Sequence, residues 1–278
     1  MCAARAFIQF SFLTQKFSLW LVDGENPLNN FLTKKGYAHT PFAAGYRHVD
    51  TAAVYENERG VGEAIARSGL TRDEIFLTTK VWNTDHGYDQ TLRAFDKSTH
   101  LLGVDEVDLY LVHWPAPTTG NYLQTWRAVM ALHEQGRARS IGVSNFHEPY
   151  LSSIIAETGV VPVVDQIELH PWLPQAPLRS FAADLGILIE AWSPLASGEL
   201  IDNPQLIEIA AKYAKSTAQV MIRWHVQLGN VVLPKSVTPD RIRQNIEVFD
   251  FELTPEHMAA IDNLANGHRT GPNPDEFM

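Results

Sequence analysis

The chain contains 278 residues, of which 45% are hydrophobic and 19% are charged, and its formal net charge is -10. This length is usual for one α/β barrel, and the sequence lacks the run of about 20 apolar residues that a membrane span requires. The negative charge argues against nucleic acid or an anionic membrane as a partner, although a local basic pocket can still bind a phosphorylated small molecule.

Residues 1–43 form the part of the chain with the least regular pattern. Ser18 to Val22 is the best strand candidate there, but Gly- and Pro-containing pairs between residues 23 and 36 leave little room for a helix. Cys2 is the only cysteine, which excludes an intramolecular disulfide and a zinc site built from several thiolates. Because the signal-peptide pattern is weak, we expect a cytoplasmic protein without a bound metal.

Short apolar runs alternate with amphipathic segments from about residue 45 onward. Seven runs are predicted to be strands: Tyr46 to Asp50, Ile75 to Lys80, Val107 to His113, Ser140 to Ser144, Val163 to Leu169, Leu188 to Trp192 and Val231 to Lys235. The predicted helices between them are Glu58 to Arg67, Gln90 to Leu102, Tyr122 to Glu134, Tyr150 to Thr158, Pro177 to Leu185, Asn203 to Tyr213 and Ala218 to Leu228.

This alternation is typical of parallel βα units, and closure of the sheet requires an eighth strand, for which Ser18 to Val22 is the candidate. We therefore predict an α/β fold, namely a (β/α)8 TIM barrel with an atypical N-terminal first βα unit. The predicted organisation is an atypical N-terminal segment over residues 1–43 and a barrel domain over residues 44–278.

Polar residues end several predicted strands, where barrel enzymes carry their catalytic groups. Asp50, Lys80 and His113 end three successive strands. Tyr55 lies five residues after Asp50, in a loop that Asn57 is expected to fix by capping the next helix. Tyrosine is a poor acid at neutral pH, with a pKa of roughly 10, but an adjacent ammonium such as Lys80 lowers that pKa. With Asp50 orienting Lys80 and His113 donating a hydrogen bond, these groups suit carbonyl reduction.

Longer blocks of sequence form a second pattern: Gly45 to Ala52 (GYRHVDTA) followed by Tyr55 to Glu58 (YENE), Leu109 to Pro115 (LYLVHWP), Ile141 to Phe146 (IGVSNF), Val164 to Pro171 (VDQIELHP) and Leu233 to Val237 (LPKSV). In order and spacing they resemble the signatures of the aldo-keto reductase family. Val248 to Phe251 (VFDF) is similar to the subgroup of 2,5-diketo-D-gluconate reductases and prostaglandin F synthase-like enzymes. Residues 1–43 depart from the family's usual N-terminal hairpin and first strand.

The resemblance implies an NADPH-dependent oxidoreductase in which Asp50, Tyr55, Lys80 and His113 are catalytic and Tyr55 is the general acid. It also implies a dinucleotide site that needs no G-x-G-x-x-G motif, which the chain lacks. The residues implied in cofactor binding are Ser144, Asn145, Gln166, Trp192, Ser193, Leu195, Ser197, Lys235, Ser236, Val237, Thr238, Arg241, Gln244 and Asn245. Within this set, Trp192 is expected to stack on the nicotinamide, and Arg241 to engage the 2′-phosphate.

The leading interpretation is an enzyme that reduces aldehydes or ketones to alcohols. The candidate walls of its substrate pocket are Trp82, Trp114 and the C-terminal arm, Gly267 to Met278. We expect a monomer whose partner is a small carbonyl substrate, with no nucleic acid or membrane partner. The alternatives are an NADPH-binding regulatory or scaffold subunit with little turnover, and an unrelated phosphate-binding barrel. The physiological substrate is not predicted, because loops set the specificity of a barrel.

Overall fold

A computed structural model of the protein describes residues 18–20, 40–119 and 121–278. The predictions made for Cys2, and for residues 1–43 other than those in these ranges, lie outside the described residues.

Eight parallel strands form one sheet in which each strand pairs with the next strand along the chain. The strands are β1 (Ser18–Trp20), β2 (His48–Asp50), β3 (Phe76–Val81), β4 (Val107–Val112), β5 (Ala138–Ser144), β6 (Val164–Glu168), β7 (Leu188–Trp192) and β8 (Val231–Val232). Ser18 lies opposite His48 and Trp20 opposite Asp50, so the predicted N-terminal strand is confirmed at Ser18–Trp20. The consecutive strand order is that of the predicted (β/α)8 barrel.

Helices follow the strands and cover the outside of the sheet. Those of the described residues are α1 (Thr40–Ala43), α2 (Glu58–Arg67), α3 (Tyr88–Leu102), α4 (Tyr122–Glu134), α5 (Glu148–Thr158), α6 (Ala176–Asp184), α7 (Pro204–Lys212), α8 (Thr217–Gln227), α9 (Pro239–Ile246) and α10 (Pro255–Asp262). The seven helices from α2 to α8 are those that the sequence predicts, and their ends differ by about two residues, as helix ends commonly do.

The loop from β2 to α2 carries Tyr55, and its internal bonding differs from the prediction. Asn57 stands at the N-cap position of α2, but its side chain makes no capping hydrogen bond. The Thr51 hydroxyl instead donates to Asn57 Oδ1 at 2.8 Å. The capping prediction is therefore wrong, yet Asn57 still joins the two ends of the loop.

The interior of the barrel changes from apolar to polar along the strand direction. Its amino-terminal layer contains the apolar side chains of Phe76, Leu109, Leu111, Val164 and Val231. Because side chains alternate between the two faces of a strand, every second residue beyond this layer also points inward. On β3 and β4 these later positions hold Lys80 and His113, so the fold gathers polar groups at the carboxyl ends of its strands.

Helix α2 packs closely against the end of α3 at Gly62, and this contact gives a test of the packing. A β-carbon at Gly62 would lie 2.7 Å from the Leu102 carbonyl carbon, which is backbone and cannot move aside easily. Gly62→Ala should therefore destabilise the protein by about 1–3 kcal/mol, the usual cost of overpacking. Thermal unfolding followed by circular dichroism measures this loss.

The matched control is Glu63→Ala, at the next position of α2, where the side chain is exposed. This change removes only a 3.8 Å surface ion pair to Arg67, which contributes about 0–1 kcal/mol. Equal melting temperatures for Gly62→Ala and the wild-type protein would show that α2 is not packed as described.

Candidate active site

A buried ion pair lies at the base of the candidate site. The Lys80 ammonium donates to Asp50 Oδ1 and, at 3.0 Å, to the carbonyl oxygen of Thr51, and both charged side chains are 0% exposed. Burial raises the pKa of Asp50, whereas Lys80 and the amide of Gln166 act to lower it. Desolvation of either charge alone would cost several kcal/mol, so each group of the pair depends on the other.

Tyr55 lies beside this pair, at the end of the short 3-10 turn Ala53–Tyr55. The Lys80 nitrogen is 5.2 Å from the centre of the Tyr55 ring, and the Tyr55 hydroxyl is 3.5 Å from His113 Nε2. Burial lowers the pKa of His113 well below its ordinary value, and the positive charge of Lys80 lowers it further. His113 is therefore neutral at physiological pH. The distances also show that the four residues predicted to be catalytic lie together.

Aromatic side chains pack around His113. The ring of Trp82 meets the His113 ring edge-on at 5.1 Å, and the Trp114 ring lies nearly parallel to it at 6.4 Å. Phe277, in the C-terminal arm, packs on Trp114 with the ring centres 4.5 Å apart. The structure thus brings the two predicted wall residues and the arm to one side of the catalytic group.

Four of the residues predicted to bind the cofactor form a continuous hydrogen-bonded row across the ends of β5, β6 and β7. Trp192 Nε1 donates to Asn145 Oδ1 at 2.8 Å, and the Asn145 amide donates to Ser144 Oγ at 3.0 Å. Ser144 Oγ in turn donates to the carbonyl oxygen of Gln166 at 2.8 Å. Each side chain therefore has an orientation set by its neighbour in the row.

Gln166 connects this row to the buried ion pair and to a carboxyl group that the sequence did not indicate. Its amide nitrogen donates to Asp50 Oδ2 at 2.8 Å and to Glu190 Oε2 at 2.9 Å. Both amide hydrogens are thereby used, so the two carboxyl groups fix the orientation of the Gln166 amide. The signal that could have revealed Glu190 is a single acid within the apolar strand Leu188–Trp192.

Glu190 carries a perturbed carboxyl group inside the barrel. It is fully buried, and burial followed by the nearby charge of Asp50 raises its pKa to about 8. At neutral pH the Glu190 carboxyl group is therefore protonated, next to the ion pair of Lys80 and Asp50. Such an arrangement avoids a second unpaired charge in the low-dielectric interior.

The other ten residues predicted to bind the cofactor line a separate cavity of about 510 Å³. Its walls include Ser193, Leu195, Ser197, Lys235, Ser236, Val237, Thr238, Arg241, Gln244 and Asn245. In the loop that forms one wall, Ser193, Ala196 and Ser197 have φ values of 49–53°. Non-glycine residues rarely adopt this left-handed conformation, so the loop holds local backbone strain next to the cavity.

Other features of the described residues do not add to the site. A cavity of about 600 Å³ lies near the amino-terminal ends of β7 and β8, on the face opposite Tyr55, and contains none of the predicted site residues. Within residues 18–20, 40–119 and 121–278, no group of three His, Cys, Asp or Glu side chains is placed to hold a metal ion. No helix of the described part of the chain is long and apolar enough to cross a membrane.

The raised pKa of Glu190 predicts how stability depends on pH. Between the unfolded carboxyl pKa of roughly 4.3 and the folded value, the folded protein holds a proton that the unfolded chain has released. The contribution of this group to the free energy of unfolding is fully present below the lower pKa, and it is lost as the pH rises toward about 8. Glu190→Gln cannot ionise, so its melting temperature relative to the wild-type protein should increase between roughly pH 5 and pH 8.

Scanning calorimetry of both proteins across this pH range measures the difference. Glu63→Gln is the control, because it removes a carboxyl group that is exposed on α2. The difference between its melting temperature and that of the wild-type protein should change little with pH. A constant melting-temperature difference between Glu190→Gln and the wild-type protein would contradict the prediction.

Comparison with known proteins identifies the family. Residues 20–266 match the aldo/keto reductase family. The chain is 50% identical to a glyoxal reductase of Bacillus subtilis over 234 residues and 50% identical to a methylglyoxal reductase, DkgA, of Yersinia pestis over 235 residues, and each match covers 84% of both chains. It is 49% identical to a 9,11-endoperoxide prostaglandin H2 reductase of Trypanosoma cruzi over 238 residues, which covers 84% of this chain and 83% of the relative.

Solved structures agree with these relatives. An aldo/keto reductase from Brucella melitensis has a TM-score of 0.84 and 48% sequence identity, and the match covers 90% of this chain and 94% of that one. A variant of Gox0644 in complex with NADPH has a TM-score of 0.88 and 42% identity, with coverage of 95% and 94%. The predicted barrel fold, family and enzyme class are therefore confirmed, and the chain belongs to the aldo/keto reductase family.

Proposed function

We propose that this enzyme uses NADPH to reduce aldehydes or ketones to alcohols, with Tyr55 as the general acid. The observation that carries the proposal is the buried pair of Lys80 and Asp50 next to Tyr55, with His113 3.5 Å from the tyrosine hydroxyl. A phenol at the mouth of a barrel, with an ammonium beside it and a neutral imidazole in front of it, suits proton transfer to an oxygen atom.

The chain's own residues supply the proton and stabilise the charge that forms. Tyr55 donates its hydroxyl proton to the carbonyl oxygen and becomes a phenolate, which the positive charge of Lys80 stabilises. Asp50 keeps Lys80 charged and oriented inside the barrel. His113, neutral because its pKa is lowered, donates a hydrogen bond from Nε2 to the same oxygen as negative charge develops there.

The residues of the 510 Å³ cavity and of the neighbouring strand ends fit NADPH. When bound, the reduced nicotinamide supplies a hydride to the carbonyl carbon. The Gln166 amide is held between Asp50 and Glu190, and the half-buried Trp192 offers an aromatic face at the neighbouring strand end. Lys235 and Arg241 are exposed cations on the wall of the 510 Å³ cavity, and such groups bind a 2′-phosphate.

The substrates that this site fits are small carbonyl compounds. Relatives that are about half identical carry the names glyoxal reductase and methylglyoxal reductase, which supports reduction of α-dicarbonyl compounds. The aromatic walls of Trp82 and Trp114 also suit an apolar substituent next to the carbonyl group.

An NADPH-binding scaffold subunit is the second candidate, and turnover distinguishes it from a reductase. A scaffold would bind NADPH, with a change in cofactor fluorescence, and would oxidise little of it in the presence of carbonyl compounds. The buried, fully paired Lys80 and Asp50 favour the reductase, because a scaffold has no need of a desolvated ion pair beside a tyrosine.

The role of Tyr55 is tested by Tyr55→Phe, which keeps the ring but removes the proton. Turnover of methylglyoxal should fall by roughly 10²- to 10⁴-fold, the usual contribution of a general acid. NADPH affinity should be nearly unchanged. Lys80→Met should reproduce the loss, because without the ammonium the pKa of the tyrosine returns toward its ordinary value.

Steady-state kinetics and fluorescence titration of NADPH are measured on the same protein preparations. Tyr122→Phe is the matched control, since Tyr122 lies on α4 and donates to Ser153 at 3.3 Å. Near-normal turnover by Tyr55→Phe would remove Tyr55 from the mechanism and leave His113 as the candidate acid.

The cofactor preference is tested at Arg241. Arg241→Ala should weaken NADPH binding by about tenfold and NADH binding far less, because only NADPH carries the 2′-phosphate that a guanidinium engages. Titration of each cofactor by protein fluorescence gives the two dissociation constants.

Arg243→Ala is the control on the same helix, because Arg243 is exposed and pairs with Asp240. If Arg241→Ala weakens NADPH and NADH equally, the 2′-phosphate is not bound at Arg241.

A further inference from the structure

The C-terminal arm, which with the residues that lead into it spans 263–278, contains no helix or strand and returns across the carboxyl ends of the strands. Its first part is held by the carbonyl oxygen of Trp172, which accepts from the backbone nitrogens of Asn266 and Gly267 at 3.1 and 3.0 Å. Its end reaches the β3 loop, where the Asn83 amide donates to the carbonyl oxygen of Met278. The arm therefore crosses the mouth of the barrel from the β6 side to the β3 side.

The middle of the arm is bound by one buried carboxylate. Glu168 ends β6 and is 1% exposed, and its Oε1 accepts from the Thr270 backbone nitrogen, from the Thr270 hydroxyl at 2.8 Å and from the Gly271 nitrogen at 3.2 Å. His170 Nε2 lies 3.0 Å from the same oxygen, and Arg269 Nη1 lies 3.5 Å from Oε2.

These contacts keep Glu168 ionised. Burial acts to raise its pKa, but the hydrogen bonds from His170 and Thr270 outweigh burial and lower the pKa overall. Most of the donors to this buried carboxylate come from the arm, which is distant in the chain. The arm is therefore held in one position, because a buried charge that loses its donors is unfavourable in free energy.

The position set at Thr270 carries through to the aromatic wall. Just after the bond to Glu168, the arm runs against Trp192, so closely that a β-carbon at Gly271 would lie 3.1 Å from Trp192 Cζ3. Six residues later, Phe277 packs on Trp114 at 4.5 Å and lies 6.1 Å from Trp82. These two tryptophans are the ones that enclose His113.

We propose that Glu168 is a positioning residue for substrate selection. By binding Thr270 and Gly271 it fixes the arm and places Phe277 in the aromatic wall beside His113. The class of substrate that depends on it is a carbonyl compound with an aromatic or other bulky apolar substituent, because an aromatic wall favours contact with such a group. This inference rests on the proposed reductase function.

A comparison of methylglyoxal with phenylglyoxal tests the inference, because the two share a reacting group and differ in the substituent. Glu168→Gln keeps the shape of the side chain and removes its charge, so charge-assisted hydrogen bonds to the arm become ordinary ones. Its KM for phenylglyoxal should rise about tenfold, whereas kcat for both compounds and KM for methylglyoxal should change by no more than about threefold.

A double-mutant cycle separates positioning from a general structural effect. Phe277→Ala should raise KM for phenylglyoxal in the same way, and adding Glu168→Gln to Phe277→Ala should cause little further change. Additive effects of the two substitutions would overturn the proposal, since they would show that Glu168 does not act through Phe277.

Two further variants keep the test decisive if Glu168→Gln is poorly folded. Thr270→Val removes the hydroxyl that donates to Glu168, together with its 3.2 Å contact to Ser193 Oγ, and should raise KM for phenylglyoxal without a matching rise in KM for NADPH. Glu276→Gln is the control on the same arm, where an exposed carboxylate accepts from Asn273 at 3.2 Å within the arm itself. Equal effects of Thr270→Val and Glu276→Gln would contradict a specific role for Glu168.

Failure of this inference differs from failure of the proposed function. A wild-type protein that reduces neither compound would refute the reductase function itself. A wild-type protein that reduces both, with unchanged KM ratios in Glu168→Gln and Thr270→Val, would refute only the role of Glu168.

Discussion

The buried pair of Lys80 and Asp50 is the interaction on which the rest of the site depends. Neither charge is stable alone in the barrel interior, so the pair requires strands β2 and β3 to be in register and requires a shell of further polar groups. The apolar layer below it consists of Phe76, Leu109, Leu111, Val164 and Val231. This layer contributes to the burial that strengthens the attraction between the two charges. Tyr55 gains its proposed acidity from this environment and not from its own loop.

Polar groups buried inside a barrel need hydrogen-bond partners among themselves, and Gln166 connects several of these groups here. It donates to Asp50 on one side and to Glu190 on the other, while Ser144 bonds its backbone. The ion pair beside the proposed proton donor and the proposed nicotinamide site therefore share one hydrogen-bonded network. A change in the ionisation of Glu190 would reach both, which links the stability of the barrel to its chemistry.

The mouth of the barrel is assembled from segments far apart in the chain. Trp82 and Trp114 follow β3 and β4, whereas Phe277 arrives from the C-terminal arm, which Glu168 holds at Thr270. Barrel enzymes commonly carry specificity in such loops, while the strand ends carry the chemistry. In this protein strand β6 contributes to both the chemistry and the specificity, because Gln166 bonds the catalytic pair and Glu168 bonds the arm.

The sequence by itself determined the strand order, the barrel and the grouping of Asp50, Lys80 and His113, because alternation of apolar runs and the residues that end them are local properties. Its motifs also indicated the family. Tertiary structure alone decided that Asn57 bonds Thr51 and does not cap α2, that Glu190 shares Gln166 with Asp50, and that Glu168 binds the arm. Each of these is a hydrogen bond whose donor competes among several acceptors, and only the packed fold brings one acceptor within reach.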